Sequence, residues 1–150
     1  MPESWRSRIS RWGFNWFPAY RATGARITYI ASDWQEVRIR LPLSWRTRNY
    51  VGTIFGGSIY GAIDPIYMVM LIKILGPDYV VWDKAASIRF RRPGRSVLYA
   101  TFRLDAAVLD SIRDAVAREG KIDWSFSVEL IDAGGVVCAS SEKLLSIRRR

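Results

Sequence analysis

The stretch that decides the fold runs from Asn49 to Asp64 and reads Asn-Tyr-Val-Gly-Thr-Ile-Phe-Gly-Gly-Ser-Ile-Tyr-Gly-Ala-Ile-Asp. Gly56 and Gly57 open an apolar helix, and the free N–H groups of a helix start favour an anion or an oxygen that gains negative charge. Asp64 follows about two turns later among apolar residues, where an ionised carboxylate costs several kcal/mol unless it is paired. The stretch therefore predicts both an oxyanion stabiliser and a base or nucleophile.

Composition favours one globular domain spanning residues 1–150. The chain is 49% hydrophobic and 25% charged, which is enough apolar material for a core at this length. Its single cysteine, Cys138, cannot form an internal disulfide, and its alternating neighbours predict a buried strand position. We therefore expect a cytoplasmic protein.

Histidine is absent from the sequence. This excludes Ser-His-Asp and Cys-His hydrolysis, histidine-based zinc or haem sites, and any mechanism with a histidine base. No metal site is expected. Acid or base chemistry must come from Asp, Glu, Lys, Tyr or water.

The chain is strongly basic, with a formal net charge of +9. Such a charge attracts polyanions, which include nucleic acid, anionic lipid, the phosphates of coenzyme A and acidic carrier proteins. Aromatic and basic residues interleave at the N-terminus in a way that could contact nucleic acid. No recognised nucleic-acid motif accompanies them, so nucleic-acid binding is the least favoured of these functions.

An N-terminal helical extension is predicted over residues 1–22, as short amphipathic helices broken at Gly13 and Pro18. Two interpretations stay open for it. The extension either packs on the domain as a lid or contacts a membrane surface, because basic aromatic helices can lie in the lipid interface.

The rest of the chain predicts an α+β fold, an antiparallel sheet around a long central helix. That helix begins at Gly56, is kinked at Pro65 and ends at Gly76-Pro77. A surface helix, Ala106–Arg118, has Asp105 as its cap, and Arg148–Arg150 are expected to form a frayed tail. The predicted strands are Arg26–Ile30, Glu36–Leu41, Tyr79–Arg91, Ser96–Leu104, Lys121–Ile131 and Val136–Ile147.

Over residues 24–147 the chain resembles the hotdog-fold thioesterase superfamily, and within it a group related to phenylacetyl-coenzyme A and medium-chain acyl-coenzyme A thioesterases. Three segments carry the resemblance: Asn49–Asp64, the strand ending Ile88–Gly94, and the final hairpin with Asp132, Gly135 and Cys138. The resemblance implies a hotdog fold and a homodimer whose sheets join edge to edge, with active sites at the interface. Whether dimers pair into tetramers stays open.

In related thioesterases an asparagine before the helix, a glycine at its start and an acid within it form the site. By position this implies Asn49, Gly56 and Asp64 as catalytic residues. Gly56 would polarise the thioester carbonyl, and Asp64 of the partner subunit would attack the carbonyl carbon or activate a water. No separate cofactor is expected, because coenzyme A or a carrier enters with the substrate. The expected substrate contacts are Gly57, Phe55, Tyr60, Tyr67, Asp83, Arg89, Arg91, Arg92 and Arg95.

Two positions depart from the family pattern. Relatives commonly have histidine where this chain has Phe55, and Asp83 stands near a position where relatives often place a small hydroxyl residue. The leading hypothesis is hydrolysis of an acyl thioester at an Asp-based site. The alternative is a non-catalytic hotdog protein that binds a fatty acyl or similar lipophilic ligand.

Overall fold

The computed structural model describes residues 1–150, which form five helices and one sheet of six strands. The helices are α1 (Trp5–Trp16), α2 (Pro18–Ala22), α3 (Gly56–Ile63), α4 (Ile66–Leu75) and α5 (Ala106–Glu119). The strands are β1 (Arg26–Ile30), β2 (Glu36–Leu41), β3 (Tyr79–Phe90), β4 (Leu98–Arg103), β5 (Lys121–Ile131) and β6 (Val137–Arg149).

Every strand pair is antiparallel, and the strand order across the sheet is β1-β2-β4-β5-β6-β3. The predicted α+β architecture is confirmed. β4 is shorter than its hydrophobic pattern predicts because its partner β2 ends at Leu41, opposite Leu98. β1 and β3 are the two outermost strands, so each leaves one edge of backbone groups without a strand partner.

The C-terminal prediction was wrong. Arg148 and Arg149 are not frayed but pair with Val80 and Tyr79 of β3, and the amide of Arg150 donates a 3.0 Å hydrogen bond to the carbonyl of Asp78. β3 begins at Tyr79, as predicted, and its first residues supply backbone hydrogen-bonding partners to these arginines, whose side chains stay in solvent.

The sheet wraps around the central helix, which Pro65 divides into α3 and α4. Both segments contribute to the core, with Ile63 and Met70 fully buried. By length and composition the 20-residue stretch Gly56–Leu75 could also cross a membrane. In this fold it packs against the sheet, with Ile59, Ile63 and Leu71 among its buried residues.

Helix α2 anchors the N-terminal extension at the break between α3 and α4. The hydroxyl of Tyr20 donates a 2.8 Å hydrogen bond to the carbonyl of Ala62, and the ring is buried. Thr23 approaches so closely that a Cβ on Gly61 would lie 2.8 Å from its methyl group. Burial raises the pKa of Tyr20, so its hydroxyl stays a donor at neutral pH.

Helix α1 runs unbroken through Gly13, so the break predicted there was wrong. A glycine costs an exposed helix only about 1 kcal/mol relative to alanine, and α1 is held by other contacts. Ser4 and Ser7 form a capping box at its start, and Asn15 exchanges two hydrogen bonds with the backbone of Ile27 in β1. The chain turns only at Phe17, where Pro18 begins α2.

Candidate active site

The loop before α3 is held by the side chain of Asn49. Its Oδ1 accepts hydrogen bonds from the amides of Val51 and Thr53 at 3.2 and 2.9 Å, and its Nδ2 donates to Thr53 Oγ1 at 2.9 Å. Both ends of the Asn49 amide are therefore engaged within the loop. This residue fixes the backbone that leads into the helix.

Free backbone donors open α3. Phe55 occupies the N-cap position without a side-chain hydrogen bond, and its carbonyl accepts from the amides of Ser58 and Ile59 at 3.0 and 3.1 Å. The amides of Gly56 and Gly57 donate to no protein acceptor. Helix N-termini favour negative charge, so these two groups suit a carbonyl oxygen that becomes an oxyanion.

A cavity of about 310 Å³ opens beside this helix start. It contains no carboxylate, and its charged groups are the guanidinium groups of Arg91 and Arg92. The cavity therefore offers N–H donors and cations, which a thioester carbonyl and phosphates can use, but no base. Its lining residues are Asn49, Thr53, Ile54, Gly56, Ile59, Phe90, Arg91, Arg92, Pro93 and Gly94.

Both glycines of the helix start lie against aromatic rings. A Cβ on Gly56 would lie 3.2 Å from Cζ of Phe90, and a Cβ on Gly57 would lie 2.4 Å from a ring carbon of Phe55. Larger residues would displace these rings. Both glycines thus serve close packing, and Gly56 also lines the cavity.

Asp64 lies at the break between α3 and α4 and not in a closed apolar core. Its Oδ1 accepts hydrogen bonds from Lys143 Nζ at 2.7 Å and from the Tyr60 hydroxyl at 2.8 Å, while Oδ2 has no partner. The side chain is 45% exposed, in contrast to the burial that its sequence neighbours predict. The break at Pro65 turns the carboxylate away from the core and toward β6.

Lys143 is the centre of this cluster. Its side chain is only 1% exposed, and its Nζ lies 2.7 Å from Asp64 Oδ1 and 3.1 Å from Asp83 Oδ1. Burial by itself lowers the pKa of Lys143, but the hydrogen bonds and charges of the two carboxylates outweigh burial and raise it. The ammonium group is therefore retained at neutral pH.

Asp83 is the more buried and the less well paired of the two acids. Burial raises its pKa, and Lys143 only partly opposes that effect. Although Asp83 Oδ1 is within ion-pair distance of Lys143, it lies out of line for a directed hydrogen bond and is otherwise unpartnered. Two carboxylates thus share one ammonium group, and a carboxylate oxygen on each can accept a further donor, such as a water.

The Tyr60 hydroxyl also belongs to the cluster. It donates to Asp64 and accepts a 3.3 Å hydrogen bond from Lys143. Burial and the neighbouring carboxylate raise the pKa of Tyr60, so the phenol remains protonated and holds Asp64 in one orientation.

The prediction of site residues missed Lys143, although the sequence contains a signal for it. Residues of β6 alternate, and Lys143 has the same parity as the buried Leu145 and Ile147. A lysine on the inward face of a strand is buried only where a counter-charge meets it. Asp64, an acid predicted to lie within the central helix, was the natural candidate for that counter-charge.

Within one chain, the helix start and the Asp64 cluster are separate. Gly56 and Asp64 are eight residues apart, which is about 12 Å along a helix. A carbonyl bound at Gly56 is therefore out of reach of Asp64 from the same chain. The two parts lie apart along β3: Phe90, its last residue, borders Gly56, whereas Asp83, seven residues earlier and near the middle of the strand, contacts Lys143.

Three other predicted residues lie elsewhere. Tyr67 is buried in the core, stacks on Phe126 at 4.7 Å and donates to a β5 carbonyl. Arg89 lines a groove formed by polar residues of β3, β5 and β6, apart from the cavity beside Gly56. Arg95 is exposed and does not line that cavity. No three Asp, Glu or Cys side chains lie close enough together to hold a metal ion.

Solved structures with this architecture share the fold at low sequence identity. A protein of unknown function from Pseudomonas aeruginosa, described as a probable thioesterase, is 23% identical with a TM-score of 0.85, over 100% of this chain and 99% of that one. A protein of unknown function from Chlorobaculum tepidum is 18% identical with a TM-score of 0.75, over 97% and 95%. A thioesterase from Haemophilus influenzae is 16% identical with a TM-score of 0.66, over 91% and 87%.

These similarities confirm the predicted hotdog fold and the resemblance to hotdog thioesterases. No curated protein matches the chain. The model of the family DUF4442, a domain of unknown function, matches residues 6–147. The chain therefore belongs to the DUF4442 family and shares the hotdog fold of these structures.

Proposed function

We propose that this protein hydrolyses acyl thioesters, with coenzyme A or an acyl carrier as the thiol. The observation that carries the proposal is the pairing of two incomplete half-sites. The cavity at Gly56 has oxyanion donors and cations but no base, while the cluster at Asp64 has a positioned carboxylate but no oxyanion donors. Each half-site contains what the other needs for acyl transfer.

A homodimer through β3 would bring the halves together. β3 is a 12-residue edge strand with an exposed Trp82 and Phe90, and a long uncovered edge of this kind usually finds a partner. If two β3 strands pair antiparallel about a two-fold axis at Ala86, position 83 of one chain lies opposite position 89 of the other, next to Phe90. The partner's Asp64 cluster then approaches the Gly56 cavity.

In the proposed mechanism the thioester carbonyl accepts hydrogen bonds from the Gly56 and Gly57 amides. Asp64 Oδ2, which has no protein partner, takes a proton from a water as the water oxygen bonds to the carbonyl carbon. The oxyanion then collapses, the carbon–sulfur bond breaks, and the leaving thiolate takes the proton that Asp64 received from the water, which regenerates the carboxylate. Lys143 and Tyr60 hold the Asp64 carboxyl group in one orientation through their hydrogen bonds to Oδ1.

Direct attack by Asp64 on the carbonyl carbon is the second route by which the same residue could act. It would form a mixed anhydride on the enzyme, which water then cleaves. Single turnover in ¹⁸O-water separates the routes, because only the anhydride route can place ¹⁸O in the Asp64 carboxylate.

The cavity mouth supports a phosphate-bearing thiol. Arg91 and Arg92 line the cavity beside the helix start, and Arg91 is held by a 2.9 Å hydrogen bond from its Nε to Ser140 Oγ. Guanidinium groups bind phosphate oxygens with well-defined geometry. The acyl group would lie along the apolar wall that Ile54 and Ile59 provide.

The test is hydrolysis of a panel of acyl-coenzyme A substrates by wild type, Asp64→Asn and Asp123→Asn. Asp123 is a matched control because it also pairs with a lysine, Lys84, at 2.6 Å, but on the surface. We expect Asp64→Asn to lower kcat by at least about 100-fold, as loss of a general base does, and Asp123→Asn to leave it unchanged.

The alternative is that the protein binds a fatty acyl or similar lipophilic ligand without turnover. It is favoured by the engagement of Asp64 Oδ1 in two hydrogen bonds, which a purely structural acid would also show. Absence of hydrolysis across the panel, together with an acyl ligand retained through purification, would establish this alternative in place of the hydrolase.

The shared-site arrangement has its own test by subunit complementation. Asp64→Asn and Gly56→Val are each expected to be inactive, the second because its side chain fills the carbonyl site. Co-expression gives heterodimers in which one site has an intact Gly56 from one chain and an intact Asp64 from the other, so about a quarter of wild-type activity should return. No recovery would place both groups in the same chain.

A further inference from the structure

Helix α1 presents its apolar side to solvent. Trp5, Ile9, Trp12 and Trp16 follow one another at intervals of four, three and four residues, which places them in one stripe about 60° wide along the helix. These four residues are 67%, 60%, 66% and 55% exposed, and Phe17, just after the helix, is 61% exposed. We call these five residues the aromatic stripe.

The opposite side of the helix is the one that packs on the protein. Ser7 is buried, Phe14 contacts Tyr20 of the core with ring centroids 4.9 Å apart, and Asn15 is bonded to the backbone of Ile27. These contacts fix the rotation of the helix about its axis. The aromatic stripe is therefore held outward by the fold and is not a surface that the chain's own sheet covers.

Cations border the stripe on both sides. Arg6 and Arg8 are exposed and have no acidic partner, and Arg21 lies over the Trp16 ring at 4.4 Å. No acidic residue occurs in the first turn of α1, and Glu3 just before it is paired with Arg11. The region around the stripe thus combines indole rings with unpaired positive charge, consistent with the chain's +9 excess.

We propose that α1 docks the protein on an anionic lipid surface, with the helix axis parallel to the membrane plane. Tryptophan prefers the boundary between headgroups and acyl chains, and arginine is attracted to anionic headgroups. Apolar residues point along one direction while cations flank them, which is the arrangement of an interfacial helix. Association of two copies through the stripe would instead bring Arg6 and Arg8 of both chains together, where like charges repel.

The position of α1 leaves it free for this role. The helix covers β1, at one end of the sheet, whereas β3 is the outermost strand at the other end. Contacts made through the open edge of β3 would leave the aromatic stripe uncovered. Membrane docking and assembly through β3 can therefore be tested separately.

The experiment is flotation of the full-length protein with vesicles of phosphatidylcholine alone or with about 30% phosphatidylglycerol, which gives the surface a negative potential. We expect binding to the anionic vesicles that weakens with salt, a blue shift of tryptophan emission, and little binding to the neutral vesicles. The triple variant Trp5→Ser/Trp12→Ser/Trp16→Ser should bind at least about tenfold more weakly. Arg6→Gln/Arg8→Gln should weaken binding about fivefold or more for each charge removed.

Trp45→Ser is the matched control. Trp45 is 82% exposed, more than any tryptophan of the stripe, but it lies in the loop after β2. This variant should bind vesicles as wild type does, and thermal melting should show that all variants are folded. The proposal is overturned if wild type does not float with anionic vesicles, or if Trp45→Ser loses as much binding as the triple variant. A lower molecular mass of the triple variant in solution would assign the stripe to a second copy of the chain instead.

Discussion

Lys143 donates a 2.7 Å hydrogen bond to Asp64 from a position where only 1% of its side chain meets solvent. A buried ammonium group persists only with such a partner, and a second acid, Asp83, lies 3.1 Å away. The pairing joins the break in the central helix to the inner face of β6. It therefore links the stability of the fold to the candidate base.

Replacing Lys143 by methionine should destabilise the protein strongly. The apolar side chain fills a similar volume but leaves Asp64 and Asp83 close together without a cation. Breaking a buried pair in this way costs about 3–5 kcal/mol, and the partial exposure of Asp64 lowers the expectation to about 2–4 kcal/mol. Urea unfolding at a fixed protein concentration measures the change.

Lys84→Met provides the comparison, since Lys84 pairs with Asp123 at 2.6 Å on the surface. Exposed pairs contribute about 0–1 kcal/mol. If Lys143→Met costs no more than Lys84→Met, the buried cluster contributes nothing beyond an ordinary surface pair.

Most of the fold followed from alternation and turn residues, but the site did not. The pattern of β5 and the glycines of α3 predict their elements closely, because each pattern is local. Lys143 and Asp64 are 79 residues apart in sequence, and only the sheet register brings them together. At Gly13 the local pattern failed: the glycine predicted a break in the helix, but docking of α1 on the protein outweighs its weak helix propensity and the helix continues.

Arg92→Ala should weaken binding of coenzyme A thioesters selectively. Its guanidinium group lines the cavity beside Gly56, and loss of one exposed phosphate contact is expected to raise KM about 5- to 10-fold. A short N-acetylcysteamine thioester carries no phosphate, so its KM should not change. Arg95→Ala, four residues from Arg91 but outside the cavity lining, should behave as wild type with both substrates. Equal effects of Arg92→Ala on both substrates would contradict a phosphate contact.

Ala86→Asp should separate the proposed dimer. Ala86 is exposed near the middle of β3, where a two-fold axis would bring the two copies of this residue within about 5 Å of each other. Two carboxylates at that distance repel and interrupt the joined edge. Sedimentation equilibrium should show a monomer, and thioester hydrolysis should fall with it. Ala133→Asp, in the exposed turn between β5 and β6, should leave the mass unchanged.

Tyr20→Phe should destabilise the protein by about 1–2 kcal/mol, because it leaves the buried carbonyl of Ala62 without its hydroxyl donor. The phenyl ring still fills the space, so the effect isolates the hydrogen bond. Tyr50→Phe, at a fully exposed position, should not change stability. The comparison is made by thermal and urea unfolding, and equal stability of the two variants would mean that water replaces the Tyr20 hydroxyl at the helix break.

Acid should weaken the ion pair between Glu3 and Arg11 of α1. The hydrogen bond from Arg11, 2.8 Å from Glu3 Oε1, lowers the pKa of Glu3 below its ordinary value of 4.5, and this effect outweighs burial. A carboxyl group whose pKa is lowered on folding stabilises the fold above its ordinary pKa, and the contribution is lost as pH falls through the lowered pKa. Glu3→Gln should therefore melt about 2–4 °C below wild type at pH 7, for a loss of about 1 kcal/mol, and the gap should close as pH falls below 4.5. Glu119→Gln, at the exposed end of α5, should match wild type throughout. A gap that persists in acid would show that the glutamine changes packing and not charge.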